Sequence, residues 1–232
     1  MKKYIFDVDG TLTPSRQKIA HKFWSFFLIF CRNHDVYLVT GSDRKKTLDQ
    51  LGLDICYTAK RVYNCSGSDV YEEDVNVHRD RWELPKKVER FLEDELSYSC
   101  FPIRTGEHIE RRPGNVNFSI LGRGGDLNFE HREEYVKWDT ERLEREDILD
   151  RLRNTFPDLA ITLGGQTGID IGPLGSDKSQ ILRDFDDDDE LHFFGDKMDE
   201  GGNDYSLAEA VKKRGGYVYH VSDYLETMEL LK

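Results

Sequence analysis

Apolar residues along the chain follow two different periods. Short runs such as Tyr4-Ile5-Phe6, Val36 to Val39 and Leu191 to Phe194 are bounded by polar or Asp/Gly-rich segments and read as buried strands. Between the first two, Gln17 to Asn33 is rich in aromatics and predicts a helix. After Val39, Ser42 or Asp43 can cap a helix that runs through Leu51, and Ile55-Cys56-Tyr57 is expected to be a third strand. Strand and helix alternate here as in a parallel sheet, whose ligands bind at the carboxyl ends of strands.

The pattern changes near Asp80. Trp82 to Leu96 predicts an amphipathic helix, followed by extended pieces at Ile103-Arg104, His108 to Arg112 and Val116 to Leu121. Asn115, Asn117 and Ser119 alternate with Val116, Phe118 and Ile120, the mark of a half-buried antiparallel strand. A helix is expected over Arg142 to Asn154, with Ile148, Leu149 and Leu152 on one face, then strands at Ile161 to Leu163 and Ile169 to Ile171. Helix and strand then alternate again: Lys178 to Phe185, Leu191 to Phe194, Asn203 to Lys213, Tyr217 to Val221 and Ser222 to Leu231. The expected fold class is α/β: a Rossmann-like core with a parallel sheet, built from 1–80 and 174–232, plus an inserted α+β cap with an antiparallel sheet at 81–173. Such an insertion is expected to place the cap over the strand ends, with the ligand cleft between the domains.

Composition narrows the function. The chain has 232 residues, 38% of them hydrophobic, a formal net charge of −12 and a pI near 5.1. An acidic globular chain is a poor partner for nucleic acid or anionic membranes, although a local Arg cluster suffices for a small phosphorylated substrate. Cys31, Cys56, Cys65 and Cys100 have no CxxC spacing, so they predict reduced, mostly buried thiols in a cytoplasmic protein rather than a zinc or redox site. Phe23 to Cys31 is too short to span a bilayer, and Asp7 and Asp9 interrupt any apolar leader after Met1-Lys2-Lys3. The acidic run from Asp184 to Glu190 reads as a solvated loop.

The most informative run is Asp7-Val8-Asp9-Gly10-Thr11-Leu12-Thr13, directly after the first strand. Residues i and i+2 of an extended chain share a face, so Asp7 and Asp9 point the same way. A divalent cation would relieve their repulsion; one carboxylate could attack a phosphoryl group while the other moves protons. Taken alone, a DxD is more often an Asp-rich turn. A second strand delivers Asp196 in Phe194-Gly195-Asp196-Lys197, followed by Gly201-Gly202-Asn203-Asp204. Asp196 is placed to complete a metal site with Asp7 and the Asp9 region, and Asp204 to ligate directly or through water; helix capping is the plain alternative. The hydroxyl of Ser42 in Thr40-Gly41-Ser42-Asp43 either holds a phosphoryl group or caps its helix. Lys178 either neutralises a phosphoryl transition state or is simply solvated. Arg111, Arg112, Arg123 and Arg132 lie in or near one hairpin, which suits phosphate recognition as well as a charged sheet edge.

The Asp7 run resembles the nucleophile motif of the haloacid dehalogenase superfamily. That resemblance implies Asp7 as phosphoryl acceptor, Asp9 as general acid/base, and Mg²⁺ held by the Asp7 carboxylate, the Asp9 backbone carbonyl and a later Asp. Phe6 to Lys18, Gly41 to Gly52, Ile109 to Arg123, Arg132 to Asp139, Gly164 to Asp170 and Phe193 to Asp204 together resemble the eukaryotic phosphomannomutase family. The family likeness implies that Arg16, Arg112, Arg123, Arg132 and Asp170 bind a sugar phosphate, that a hexose bisphosphate activates the enzyme, and that the chain forms a homodimer through its caps. The chain departs from the family pattern at Gly168, where Ser is expected, and at Cys65-Ser66-Gly67, where Glu-Asn-Gly is expected. A hexose-phosphate mutase, interconverting mannose 6-phosphate and mannose 1-phosphate, is the expected activity. A sugar-phosphate phosphatase needs the same core, and a non-catalytic sugar-phosphate-binding protein would have lost Asp7, Asp9 or Asp196.

Overall fold

The computed structural model describes residues 1–15 and 17–232. In chain order the elements are β1 (Lys2–Asp7), α1 (His21–Asn33), β2 (Asp35–Val39), α2 (Arg44–Leu51), α3 (Leu53–Thr58), β3 (Arg61–Asn64), β4 (Asp69–Glu72) and β5 (Val75–Arg79). Then come α4 (Lys86–Tyr98), β6 (Glu107–Arg112), β7 (Asn115–Arg123), α5 (Phe129–Arg142), α6 (Glu144–Thr155), β8 (Leu159–Gly164) and β9 (Gly168–Pro173). The chain closes with a 3₁₀ segment at Lys178–Asp184, β10 (Glu190–Gly195), α7 (Tyr205–Lys213), β11 (Tyr217–His220) and α8 (Tyr224–Leu230).

These elements form two compact units, Met1–Asp80 with Gly175–Lys232, and Arg81–Leu174. The first is built on a seven-stranded sheet in the order β11-β10-β1-β2-β3-β4-β5. Its five strands from β11 to β3 are parallel, and β4 and β5 add an antiparallel hairpin at one edge. Successive residues of a strand point to opposite faces. Phe6, Leu38, Val62 and Phe194 therefore pack with α1 and α3 on one side. Ile5, Val39, Tyr63 and Phe193 pack with α7 and the 3₁₀ segment on the other. Burial on both faces is why these strands read as continuous apolar runs.

The second unit has a four-stranded antiparallel sheet in the order β6-β7-β9-β8. One face, carrying Val116, Phe118, Ile120, Ile169 and Ile171, packs against apolar residues of α4, α5 and α6.

Several expectations need correction. Ile55-Cys56-Tyr57 is helix α3, not a strand, and the third strand is β3. Gly52, with φ +81°, ends α2 and starts a new short helix that buries Ile55 and Cys56 but exposes Tyr57. A short apolar run fits either period, and packing against α1 decides it. Ile103-Arg104 lies in no strand, and α1 begins at His21 rather than at Gln17. Lys178–Asp184 winds as 3₁₀ rather than α-helix. The hairpin of β4 and β5 and the helix α5 are additional to the expected elements. In β7 Asn117 and Ser119 are buried along with their apolar neighbours: Asn117 bonds the side chains of Asp170 and Arg123, and the Ser119 hydroxyl donates to the Thr167 backbone carbonyl. The acidic run is partly pinned: Asp184 pairs with Arg61 at 2.7 Å, and Asp189 meets the N-terminal ammonium at 3.5 Å. All four cysteines are free, with Cys100 exposed and the other three buried. Among the described residues no helix is long and apolar enough to cross a membrane.

Candidate active site

Strand β1 delivers Asp7 at its carboxyl end, and the chain then turns tightly. Gly10 N–H donates to Thr13 O at 2.8 Å, while Leu12 and Thr13 N–H both donate to Val8 O at 3.0 Å. Gly10 has φ +91°, and a Cβ there would lie 2.2 Å from Asp196 Oδ2. Glycine is therefore required twice over, by the turn and by the approach of Asp196.

Asp7 is 2% exposed. Its Oδ1 accepts from Lys178 Nζ at 2.5 Å and its Oδ2 from Thr11 Oγ1 at 3.3 Å. Lys178, 1% exposed, also donates to Asp204 Oδ1 at 2.6 Å, and Asp204 Oδ2 accepts from Lys197 N–H at 3.1 Å. Asp177 caps the 3₁₀ segment through Ser179 N–H and so sets the start from which Lys178 turns inward. Oxygens of Asp7, Asp196 and Asp204 lie within 4.8 Å of one another. Three carboxylates gather around one buried ammonium, and Lys197 acts on Asp196 as a second cation. Burial and the nearby Asp204 push the Asp7 carboxyl up to about 8, although Lys178 opposes the shift and Asp196 adds to it. Burial alone would lower Lys178, but Asp204 and Asp7 outweigh it and hold the ammonium well above the usual lysine range. Burial likewise raises Asp196, with Asp204 contributing.

Among the described residues the buried Oδ1 of Asp196 has no hydrogen-bond partner. An orphaned carboxylate oxygen and an all-oxygen donor set with more carboxylates than ammonium groups fit a hard divalent cation, which would reverse these upward shifts. The carboxylate of Asp9 is outside this cluster and turns toward α2. It accepts from Gln50 Nε2 at 2.9 Å, Ser42 Oγ at 3.4 Å and Lys46 Nζ at 3.5 Å. Lys46 also donates to Ser42 Oγ at 2.9 Å, and Asp43 caps α2 through Lys46 N–H at 2.8 Å. Ser42 is thus a partner of Asp9, while Asp43 does the capping. Lys46 and Gln50 escaped the reading of the sequence. Lys46 and Gln50, four residues apart, share a face of α2, but nothing in their spacing points to Asp9.

The Cys65-Ser66-Gly67 turn after β3 runs through three left-handed residues, with φ +48°, +59° and +103°. For Cys65 and Ser66 that conformation costs about 1–2 kcal/mol each. Cys65 N–H donates to Ser42 O at 2.9 Å and Ser66 N–H to Thr40 O at 2.8 Å, so the strain is held by the loop that carries Ser42.

In the second unit, Asn117 on β7 pairs in register with Asp170 on β9. Asn117 Oδ1 accepts from Arg123 Nε at 2.9 Å, and Arg112 Nη1 lies 3.8 Å from Asp170 Oδ1. Arg112 also bonds Glu110, its neighbour on the same face of β6. Arg112, Arg123 and Asp170 are thus brought onto one polar sheet face, while Arg132 is carried in the first turn of α5. Arg16 lies outside the described residues.

A parallel sheet with paired aspartates at its central strand end, in a chain interrupted by a separate α+β unit, is the haloacid dehalogenase-type fold. Solved structures share this fold. A haloacid dehalogenase-like hydrolase from Bacteroides thetaiotaomicron superposes with a TM-score of 0.64 at 14% identity, covering 99% of this chain and 98% of that one. A trehalose-6-phosphate phosphatase related protein gives 0.63 at 21% identity, covering 99% and 95%. Within that class the sequence is more specific. The model of the eukaryotic phosphomannomutase family matches residues 25–232. A phosphomannomutase of Dendrobium officinale is 33% identical over 97% of this chain and 92% of its own length. The chain belongs to the eukaryotic phosphomannomutase family.

Proposed function

We propose that this chain is a Mg²⁺-dependent phosphomannomutase, interconverting mannose 6-phosphate and mannose 1-phosphate through a phospho-aspartate at Asp7, with a hexose bisphosphate as activator. The observation that carries this reading is the buried Asp7–Lys178–Asp204 array beside Asp196 in a chain of this family. Asp7 attacks a phosphoryl group of the bisphosphate, its P–O bond to the sugar breaks as Asp9 gives a proton to the departing sugar oxygen, and an acyl phosphate forms. That phosphoryl group passes to the free hydroxyl of a sugar monophosphate, whose proton Asp9 takes. The new bisphosphate returns its other phosphoryl group to Asp7, and Asp9 gives the proton back to the departing sugar oxygen. Ser42, Lys46 and Gln50 hold Asp9 for that exchange. Lys178 offsets charge on the Asp7 side throughout. Asp7, Asp196 and Asp204, with the Asp9 backbone carbonyl, would hold Mg²⁺, which would supply charge neutralisation for the transferring phosphoryl group. Arg16, Ser42, Arg112, Arg123, Arg132 and Asp170 bind the sugar phosphate, with Arg112, Arg123 and Arg132 holding the phosphate that is not reacting.

Incubation with mannose 1-phosphate, Mg²⁺ and a trace of hexose bisphosphate, followed by phosphorus NMR, tests the reading. Mannose 6-phosphate is the expected product. Inorganic phosphate without the isomer would make the chain a phosphatase, in which water completes the turnover. The same reading includes a homodimer, which light scattering would report as twice the 27.1 kDa of one chain.

A further inference from the structure

Gly164 and Gly168 pair across β8 and β9. Neither has a left-handed φ, so the backbone does not demand glycine at either position. Space does. A Cβ on Gly168 would lie 2.5 Å from Arg123 Nη2 and 2.7 Å from both polar atoms of the Asn117 amide. A Cβ on Gly164 would lie 2.6 Å from Asn117 Nδ2 and 2.7 Å from Asp170 Oδ2. The two glycines leave a bare strip of sheet on which three polar side chains rest.

Asn117 is the middle one and is 1% exposed. Its Oδ1 accepts from both Nε and Nη2 of Arg123, at 2.9 and 2.5 Å. Its Nδ2 donates to Asp170 Oδ1 at 2.6 Å. An amide has one accepting and one donating end, and here the first faces a cation and the second an anion. Turning the amide over would set like against like at both ends. No hydrocarbon, acid or base at this position could serve both neighbours.

We infer that Asn117 is a positioning residue for the sugar phosphate, fixing Arg123 and Asp170 as one rigid pair, and that residue 168 is glycine so that the Arg123 guanidinium can lie on the sheet. The inference rests on the reading above, in which Arg123 and Asp170 touch the substrate. A ligand phosphate then meets an arginine fork whose rotamer is already set, so little side-chain freedom is lost on binding. Any side chain at 168, the Ser of the family pattern included, requires a different placement of Arg123 and hence a different ligand surface.

A double-mutant cycle in the full chain tests this, with isomerisation of a hexose monophosphate as the assay and thermal melting as the check on folding. Asn117→Leu and Gly168→Ala are each expected to raise KM by about tenfold, with a smaller change in kcat. In an Arg123→Ala background Gly168→Ala should add no more than about twofold, because it acts through Arg123, and Asn117→Leu should add less than in the wild type, its remaining effect running through Asp170. Where Asn117→Leu melts early or fails to fold, Gly168→Ala, which adds one methyl and no backbone strain, carries the cycle. Full additivity with Arg123→Ala, or an unchanged KM in Gly168→Ala, overturns the inference while leaving the substrate role of Arg123 standing. A wild-type KM in Arg123→Ala itself removes that substrate role, and the inference with it.

Discussion

Asp7 combines three properties that conflict in water: it is buried, it faces two other carboxylates, and it is bonded to an ammonium. Asp7→Asn keeps the shape and removes the nucleophile, so turnover should fall by at least about 10³-fold. The fold should survive, since the change also removes one of the repelling charges; a melting curve beside the assay separates the two effects. Near wild-type turnover would rule out covalent catalysis at Asp7. The cation is tested at Asp196, whose Oδ1 has no hydrogen-bond partner among the described residues. Asp196→Ala should weaken Mg²⁺ binding strongly and abolish activity, whereas Asp187→Ala in the exposed acidic run should change neither. Calorimetric titration reads both, and equal affinity in the wild type and Asp196→Ala would remove Asp196 from the site. At this scale the sequence was highly legible for Asp7, Asp196 and Asp204, because strand ends followed by Gly-rich turns mark them. It was poorly legible for Asp9, whose partners Lys46 and Gln50 reach it from another element.

Elements were readable where one period dominated. β1, β2, β10 and α7 follow from buried runs and helical spacing. Helix α3 did not, because three apolar residues satisfy a strand and a turn of helix equally. The exposure pattern decides it: in a strand, residues 55 and 57 share a face, yet Ile55 is 0% and Tyr57 53% exposed. Ile55→Ala should therefore cost about 2–5 kcal/mol, as loss of a buried aliphatic side chain. Tyr57→Ser should stay within about 0.5 kcal/mol, as a surface change. Chemical denaturation measures both; equal costs would contradict the helical placement. In β7 the alternation of polar and apolar residues was correctly read as a strand but not as buried on both faces. The pattern shows which residues face away from the apolar core. It does not show that Arg123 folds back over Asn117.

At the scale of the whole molecule the two units carry different parts of the proposed reaction. The phosphoryl chemistry resides in Met1–Asp80 with Gly175–Lys232, and the arginines for the distal phosphate in Arg81–Leu174. Arg123→Ala should accordingly cut isomerisation sharply, the loss of a charged partner to a buried phosphate being about 2–5 kcal/mol. Release of phosphate from a small acyl phosphate, which has no distal phosphate, should fall far less. Measuring both on one preparation tests the division of labour, and parallel loss would assign Arg123 to the fold or the core chemistry. The sequence by itself marked the candidate carboxylates Asp7, Asp9 and Asp196, because a strand end with its glycine-containing turn is a local signal. It also determined the change from α/β to α+β near Asp80, since hydrophobic period is local as well. Only the tertiary structure decided that Lys178 is a buried bridge between Asp7 and Asp204, that Ser42, Lys46 and Gln50 grip Asp9, and that Gly168 makes room for Arg123. Each of those depends on which distant segments the sheets bring side by side, and no period along the chain records that.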